Sequence, residues 1–136
     1  MSDLPRNRSM PEATVIPELS YADVGAAADW LCRAFAASVR LRIADHRIQL
    51  NVADGAVVLV HGSPAPASLM VRVADAKGHH ERAIAQSVRI LNPLTDYPYG
   101  ERQYTAVDCG GHVWTFSQSI ADVDPESWGG TPGALT

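Results

Sequence analysis

The sequence predicts an α+β protein in which one β-α-β-β-β unit occurs twice, the two copies pairing to form a curved mixed sheet around a cleft. Three observations predict this class. An apolar stripe of helical period occupies residues 24–35, and the segments on both sides of it alternate like β-strands. The same order of elements then returns after a connector rich in Pro and Ala, and an internal repeat of this kind dictates the architecture.

The first unit is predicted to span residues 14–61. Residues 14–21 alternate in part and form its first strand, and Asp23 is placed to cap the helix that follows. Its other strands are predicted at 38–43, 46–52 and 56–60, the last preceded by an Ala-Asp-Gly turn. Residues 1–13 lack periodicity and are expected to form a flexible tail, and residues 62–66 form the linker to the second unit.

The second unit is predicted to span residues 67–119. Asp75 caps its helix, which is expected to end near residue 87. Its strands are predicted at 67–73, 88–91, 101–107 and 112–119, with a Pro- and Tyr-rich loop at 92–100 and a Gly-Gly turn at 108–111. Residues 120–136 are expected to form a C-terminal tail in which Pro125 opens a short helical turn.

Two landmarks recur at similar offsets and support the repeat. Asp23 and Asp75 lie 52 positions apart (75 − 23), and the turn glycines Gly55 and Gly111 lie 56 apart (111 − 55). The difference fits the longer loop in the second unit. One such unit leaves a sheet face uncovered, so two units are expected to cover it or to enclose a cavity.

Composition excludes several classes of function. The net charge is −4 and the 11 basic residues are scattered, which argues against a nucleic-acid partner. No apolar run approaches the ~20 residues that cross a bilayer, so no membrane partner is expected. The two cysteines, Cys32 and Cys109, are too few for a disulfide framework, and no secretory signal opens the chain. We therefore expect a cytoplasmic protein with reduced thiols.

Six segments carry a family resemblance, which covers about residues 14–120: they are 16–24, 28–31, 34–35, 71–75, 96–104 and 108–116. They resemble the vicinal oxygen chelate superfamily, which contains glyoxalases, bleomycin-resistance proteins and extradiol dioxygenases, and within it the bacterial branch related to PhnB. Two departures are visible. Cys109 stands where the family turn has proline, and Ala36-Ala37-Ser38 replaces a Gly-Phe junction after the first helix.

The resemblance implies where a metal would be bound. Metal-dependent members place a His or Glu seven residues before the Asp of each unit and a Glu four residues after each turn glycine. Those positions here are Ile16, Ser68, Leu59 and Thr115. Two offer no donor atom and two offer only neutral hydroxyls, whereas a catalytic divalent metal needs several imidazole or carboxylate ligands. No metal and no cofactor are therefore expected.

Strand alternation predicts which side chains line the cleft. If Leu19, Trp114 and Phe116 face the helices, residues of the opposite parity face the cleft. With Tyr99 of the loop and the nearby Arg102 added, the candidate ligand-binding set is Glu18, Ser20, Ser68, Met70, Arg72, Tyr99, Arg102, Thr115 and Ser117. Glu18 and Arg72 occupy matching places in the two units, and a cross-unit ion pair is favoured over a role in reading ligand charge.

The histidines and the tyrosine loop leave alternatives open. His79 and His80 are adjacent on a helix and are expected to be solvated, while His112 is expected to serve the turn. His46 and His61 are expected at the surface, although either one with Glu18 or Glu101 remains a candidate for a non-standard metal site. The tyrosines of loop 92–100, Tyr97 and Tyr99, either stack on a planar ligand or pin the loop.

Three hypotheses of function follow. The first is metal-independent binding of a small apolar or aromatic organic molecule in the cleft. The second is a metal-dependent lyase, isomerase or dioxygenase with relocated ligands, and the third is a non-catalytic interaction module. A homodimer is expected from the resemblance, and the units pair either within one chain or by swapping between two chains.

Overall fold

Two four-stranded mixed sheets, each accompanied by one helix, make up the protein, as the predicted α+β class requires. The structure is a computed structural model and describes residues 7–63 and 65–133. The elements in chain order are β1 Glu18–Tyr21, α1 Val24–Phe35, β2 Ser38–Ile43, β3 Arg47–Val52, β4 Gly55–His61, β5 Ser68–Arg72, α2 Ala76–Ala85, β6 Arg89–Asp96, β7 Glu101–Val107, β8 Val113–Ser119 and the 3-10 turn Pro125–Trp128. Sheet one has the order β1-β4-β3-β2 and sheet two the order β5-β8-β7-β6.

Both helices begin at the predicted aspartates. Asp23 Oδ1 accepts a hydrogen bond from the backbone N of Ala26 at 3.0 Å, and Asp75 Oδ1 accepts one from Gly78 at 3.0 Å. Each carboxylate satisfies one of the amides that a helix N-terminus leaves without a partner. Helix α1 ends at Phe35, and the capping residue Ala36 adopts the left-handed conformation with φ 60°.

The second strand of the second unit, β6, is longer than predicted. Residues 92–96, expected to belong to a loop, continue β6 and pair with β7 as far as Asp96 opposite Arg102. The register shifts twice, between Ile90 and Asn92 and between Asn92 and Thr95. These irregularities accommodate Pro93, which cannot donate to a ladder, so the proline interrupts the pairing without ending the strand.

One hydrophobic core lies between the helices and the helix-facing sides of both sheets. Phe35, the last residue of α1, contacts the rings of Trp114 and Phe116 with centroids 5.5 and 4.8 Å apart. Leu19, Trp114 and Phe116 are all buried in this core, as the alternation predicted. The opposite face of each sheet, which points away from the helices, is called the distal face below.

A buried carboxylate joins the two units. Asp108, 6% exposed, accepts hydrogen bonds from the Tyr21 hydroxyl at 2.5 Å and from Trp114 Nε1 at 2.9 Å, and from two backbone amides of its own turn at 2.9 Å each. His112 makes a second link, since its Nδ1 accepts from the backbone N of Ala67 and its Nε2 lies 2.9 Å from the Ser20 carbonyl oxygen. The ends of β1, β5 and β8 are thereby held together.

The residues that precede β1 lie against sheet one. Gln49 Nε2 donates to the Ser9 carbonyl at 2.7 Å, and Arg40 donates to the Arg8 carbonyl at 3.2 Å. Pro11 is buried. The flexible-tail prediction for residues 1–13 also covers residues 1–6, which lie outside the described part of the chain, as does Pro64 of the predicted linker.

At the other end, the chain folds back over the loop between β6 and β7. The backbone amides of Ile120 and Ala121 both donate to the Gly100 carbonyl, at 2.8 and 3.2 Å. Gly100 has φ +87°, and a Cβ there would lie 2.0 Å from the Ala121 carbonyl oxygen, so this close crossing requires glycine. Within residues 7–63 and 65–133, no helix is long and apolar enough to cross a membrane.

Candidate functional site

The distal face of sheet two carries a row of hydrogen-bonded side chains. Thr105 and Thr115 lie opposite each other on β7 and β8, with their hydroxyls 2.9 Å apart. One step along the same strands, Gln103 Nε2 donates to Ser117 Oγ at 3.0 Å. Because alternate residues of a strand point to the same face, all four side chains lie on the side away from α2.

The row ends at a carboxylate. Glu101 accepts hydrogen bonds from Ser117 Oγ at 2.5 Å and from Ser119 Oγ. Burial raises the pKa of Glu101, but the two hydroxyls and the nearby Arg72 together outweigh this effect, so the pKa lies below its ordinary value. Among the described residues, no cationic atom lies within 4.0 Å of the carboxylate. Glu101 is therefore a negatively charged acceptor at neutral pH.

Apolar surface adjoins the row on the β5 side. Met70 lies opposite Thr115 in the parallel pairing of β5 and β8, and it is 67% exposed. Arg72, also exposed, lies opposite Ser117 on the same face. The distal face of sheet two thus combines an accessible thioether, hydroxyl and amide groups and two opposite charges, a mixture suited to an organic ligand.

The corresponding face of sheet one is covered. Gln49 and Val58 pair across β3 and β4, and each is only 1% exposed although neither faces the helices. The segment around Ser9 lies against Gln49, whose side-chain amide donates to the Ser9 carbonyl. The predicted ion pair between Glu18 and Arg72 is wrong: Glu18 pairs with Arg47 at 3.0 Å, because Arg47 lies on the same distal face of the same sheet.

The structure brings together part of the predicted ligand-binding set. Met70, Arg72, Thr115 and Ser117 share the distal face of sheet two, with Ser68 at its edge. Ser20 is engaged elsewhere, because its hydroxyl donates to the Ser63 carbonyl and accepts from the Ala65 amide.

The two residues taken from the tyrosine loop and its border behave differently. Tyr99 reaches the row, with its hydroxyl 3.5 Å from Gln103 Oε1, and its ring stacks on Tyr97 at 5.3 Å. Arg102 has the opposite parity and lies on the other face, where it makes two hydrogen bonds with Asp96 at 2.7 and 3.1 Å.

The sequence reasoning missed Glu101, Gln103 and Thr105 as members of this face. The signal was available, since β7 was predicted with its observed bounds, 101–107, and alternation along it selects these three residues. The predicted cleft residues on strands came from β1, β5 and β8, together with Arg102 of β7.

The positions implied for a metal do not fit one. Ile16 and Leu59 have no donor atom, Ser68 is a neutral hydroxyl, and the Thr115 hydroxyl is bonded to Thr105. Across residues 7–63 and 65–133, no three His, Cys, Asp or Glu side chains converge in a way that could hold a metal ion. Of the residues proposed for a non-standard site, Glu18 is paired with Arg47, and Glu101 is bonded to two serines.

Leu59, the position implied for a metal ligand on the last strand of the first unit, is also not the structural equivalent of Thr115. Leu59 pairs with Leu19, and Phe116 pairs with Val71. Leu19 and Val71 each lie four residues before their helix-capping aspartate, so Leu59 is equivalent to Phe116 and faces the core. Thr115 is instead equivalent to Val58. A shift of one residue moves a side chain to the other face, because the strand period is two.

The histidines correct a second prediction. His79, expected to be solvated, is half-buried: its Nδ1 contacts the Tyr104 hydroxyl, its Nε2 lies 3.1 Å from the Phe35 carbonyl oxygen, and its ring packs 4.1 Å from Phe116. His80 is also partly covered, against the Tyr104 ring. His46 and His61 are exposed, as predicted.

Solved structures with this architecture are numerous, although no protein-family model and no curated protein matches the chain. TioX from Micromonospora sp. ML1 is 31% identical, with a TM-score of 0.72, over 77% of this chain and 97% of TioX.

More distant structures share the fold alone. A glyoxalase/bleomycin resistance protein/dioxygenase from Nocardioides is 17% identical, with a TM-score of 0.64, over 94% of this chain and 91% of that one. The bleomycin resistance determinant encoded on the transposon Tn5 is 16% identical, with a TM-score of 0.67, over 79% and 98%. Closer placement in the PhnB-related branch stays a prediction. By its identity to TioX over nearly all of that protein, and by the fold it shares with these structures, the chain belongs to the glyoxalase/bleomycin resistance/dioxygenase family, that is, the vicinal oxygen chelate superfamily.

Proposed function

We propose that this protein binds a small organic molecule on the distal face of sheet two and needs no metal to do so. The observation that carries the proposal is the row from Thr105–Thr115 to Gln103–Ser117–Glu101, partly exposed except at the buried Ser117, beside the exposed Met70. A ligand gains apolar burial on Met70, and its orientation is fixed by hydrogen bonds to the row.

The chemistry of the donor set supports binding over metal-dependent catalysis. Neutral hydroxyls at Ser68 and Thr115 cannot supply the charge that a Lewis-acid metal requires. Two hydroxyls that bond to each other, as in Thr105–Thr115, instead keep one donor and several lone pairs available for a ligand. Such groups discriminate between ligands through hydrogen bonds.

Thermal stabilisation by a panel of aromatic and apolar metabolites and antibiotics, bleomycin included, tests the proposal. A molecule that binds only the folded protein raises its melting temperature. We expect at least one member to do so, equally with and without EDTA. The proposal fails if no member stabilises the protein, or if stabilisation disappears when metal is removed.

Thr115→Val tests the position of the site. Valine keeps the volume and removes the hydroxyl, so we expect the dissociation constant of a stabilising ligand to rise about tenfold. Thr14→Val is the matched control, because Thr14 is exposed and precedes β1. Equal affinities of the two variants would place the ligand elsewhere.

We further propose that the chain forms a homodimer. The outer strands β2 and β6 leave one edge each without a partner in the described chain, and they expose Val39, Ile43 and Leu91. An exposed edge with apolar side chains favours association. Light scattering coupled to size-exclusion chromatography is expected to give twice the mass of one chain; a monomer mass at every concentration contradicts the proposal.

A further inference from the structure

A groove opens where the C-terminal segment crosses the end of sheet two. It has a volume of about 530 Å³ and lies between the start of β7 and the turn Pro125–Trp128. Its walls combine two aromatic rings, Tyr99 and Trp128, with two carboxylates, Glu101 and Asp122. The groove is continuous with the proposed binding face, since Glu101 and Ser119 belong to both.

The aromatic wall is held in place from both sides. Tyr99 and Trp128 meet edge to face, with centroids 5.6 Å apart at 62°, and Tyr99 is supported from behind by Tyr97 at an interplanar angle of 9°. Trp128 Nε1 donates to the Val123 carbonyl at 3.3 Å, yet the side chain remains 40% exposed. An aromatic surface is thus both positioned and accessible.

The backbone of the C-terminal segment fixes this arrangement. Asp124 caps the 3-10 turn by accepting from the amide of Glu126 at 3.1 Å. The two amides bonded to the Gly100 carbonyl anchor the segment to the loop that bears Tyr99. These backbone contacts therefore help to position both rings, in addition to the contact between the rings.

The charged side chains that line the groove in the described part of the chain are both carboxylates, Glu101 and Asp122. Among the described residues that line it, none is Lys, Arg or His. Arg72 acts on Glu101 from β5, which β8 separates from β7, and Arg102 is paired with Asp96. Aromatic faces attract cations through the negative potential above the ring, and adjacent carboxylates add to that attraction and repel anions.

We propose that the groove binds the cationic group of an organic ammonium ligand, with Tyr99 and Trp128 contacting its N-alkyl carbons and with Glu101 and Asp122 balancing its charge. The inference rests on the proposed function, because the remainder of the same ligand would lie along the row toward Thr115. It names the chemical class: an amine or quaternary ammonium compound with an apolar or aromatic body.

Benzyltrimethylammonium is the probe, compared with benzyl alcohol as a neutral analogue and benzoate as an anionic one. The chain has three tryptophans, so its ¹⁵N-HSQC spectrum contains three indole signals, and Trp128→Phe identifies the one from Trp128. We expect the ammonium probe to shift this signal saturably, and both other probes to bind at least about tenfold more weakly. Equal binding of benzyl alcohol, or the absence of a saturable shift, overturns the inference.

Charge variants provide the second arm. Glu101→Gln retains an acceptor for the serine hydroxyls, and Asp122→Asn changes an exposed side chain, so both are expected to fold. Each should raise the dissociation constant of the ammonium probe about 2- to 30-fold, whereas Asp45→Asn, on an exposed turn of sheet one, should not. An unchanged constant in both groove variants overturns the inference.

The failure of this inference can be told from failure of the proposed function. If neutral panel ligands bind with an affinity that depends on Thr115 but the groove does not distinguish charge, only the inference fails. If the ammonium probe binds at Trp128 and no panel ligand responds to Thr115→Val, the groove stands as a cation site and the function proposed for the row fails.

Discussion

The two units share a backbone plan but differ on both faces of their sheets. In the first unit, helix α1 buries six residues, and the segment around Ser9 lies against Gln49 on the distal face. In the second unit, helix α2 buries only two residues, Ala76 and Ala83, and Met70 and Arg72 on the distal face are exposed. The two repeats therefore differ in role: the first supplies most of the core, and the second presents exposed polar groups such as Arg72.

The turns that close the two sheets differ in the same way. The turn of the first unit has an exposed aspartate, Asp54, whereas Asp108 of the second unit is buried and accepts four hydrogen bonds. Tyr21 reaches across from the first unit to make one of them. The second turn is therefore a joint between units, and the first is only a connection between strands.

The largest expected effect comes from removing that joint. Asp108→Ala leaves the Tyr21 hydroxyl and the Trp114 indole N–H without their acceptor, so we expect a loss of about 3 kcal/mol in the free energy of unfolding. Asp54→Ala is the matched control and should cost under about 0.5 kcal/mol. Urea denaturation followed by fluorescence measures both, and equal losses would show that the turns are interchangeable.

Uncovering the first unit should have a smaller effect. A deletion of residues 2–11 removes the carbonyl partners of Gln49 and Arg40 and exposes the buried Gln49 side chain, at an expected cost of about 2 kcal/mol. It should also speed amide hydrogen exchange in β3 and β4 more than in β7 and β8. A deletion of residues 2–6 is the control for chain length. Uniform exchange in both sheets would mean that the segment does not distinguish the units.

The smallest expected effect concerns His79, the half-buried residue of α2 whose ring packs against Phe116 in the core. Burial lowers the pKa of His79, and its bond to the Phe35 carbonyl opposes this only in part. The unfolded chain therefore takes up a proton at higher pH than the folded one, so the contribution to stability is present above about pH 6.5 and is lost as the pH falls below it.

The check on His79 is a comparison of unfolding free energies at pH 8 and pH 5.5. The wild-type protein should lose more stability between these values than His79→Gln does, whatever the variant costs at pH 8. If both lose the same amount, another group is responsible for the pH dependence.

Much of the fold could be predicted because its signals are local. Asp23 and Asp75 cap the helices in the structure as they do in the predicted pattern, and β2 and β7 have the predicted bounds. Strand alternation placed Thr115 and Ser117 on the face away from the helices. These features depend on residues close in sequence, where propensity, capping and periodicity act directly.

The error at Leu59 comes from the different turn lengths of the two units, and in other failures the deciding partner lies far along the chain. Counting from Gly55 placed Leu59 on the wrong face, because β4 begins at its glycine whereas β8 begins two residues after Gly111. His79 was predicted to be solvated, but in the structure it contacts Phe35, Tyr104 and Phe116, which are distant in sequence. The serines that bond Glu101 lie 16 and 18 residues away.

The sequence by itself determined the repeat, the element types and the absence of good donor atoms at the family's metal positions, since each follows from residue identity and short-range spacing. Only the tertiary structure decided that the segment around Ser9 lies against Gln49, that Glu101 ends a row of hydrogen bonds, and that Trp128 lies beside Tyr99. Each of these contacts joins separate strands or chain ends, and their meeting depends on how the whole chain packs.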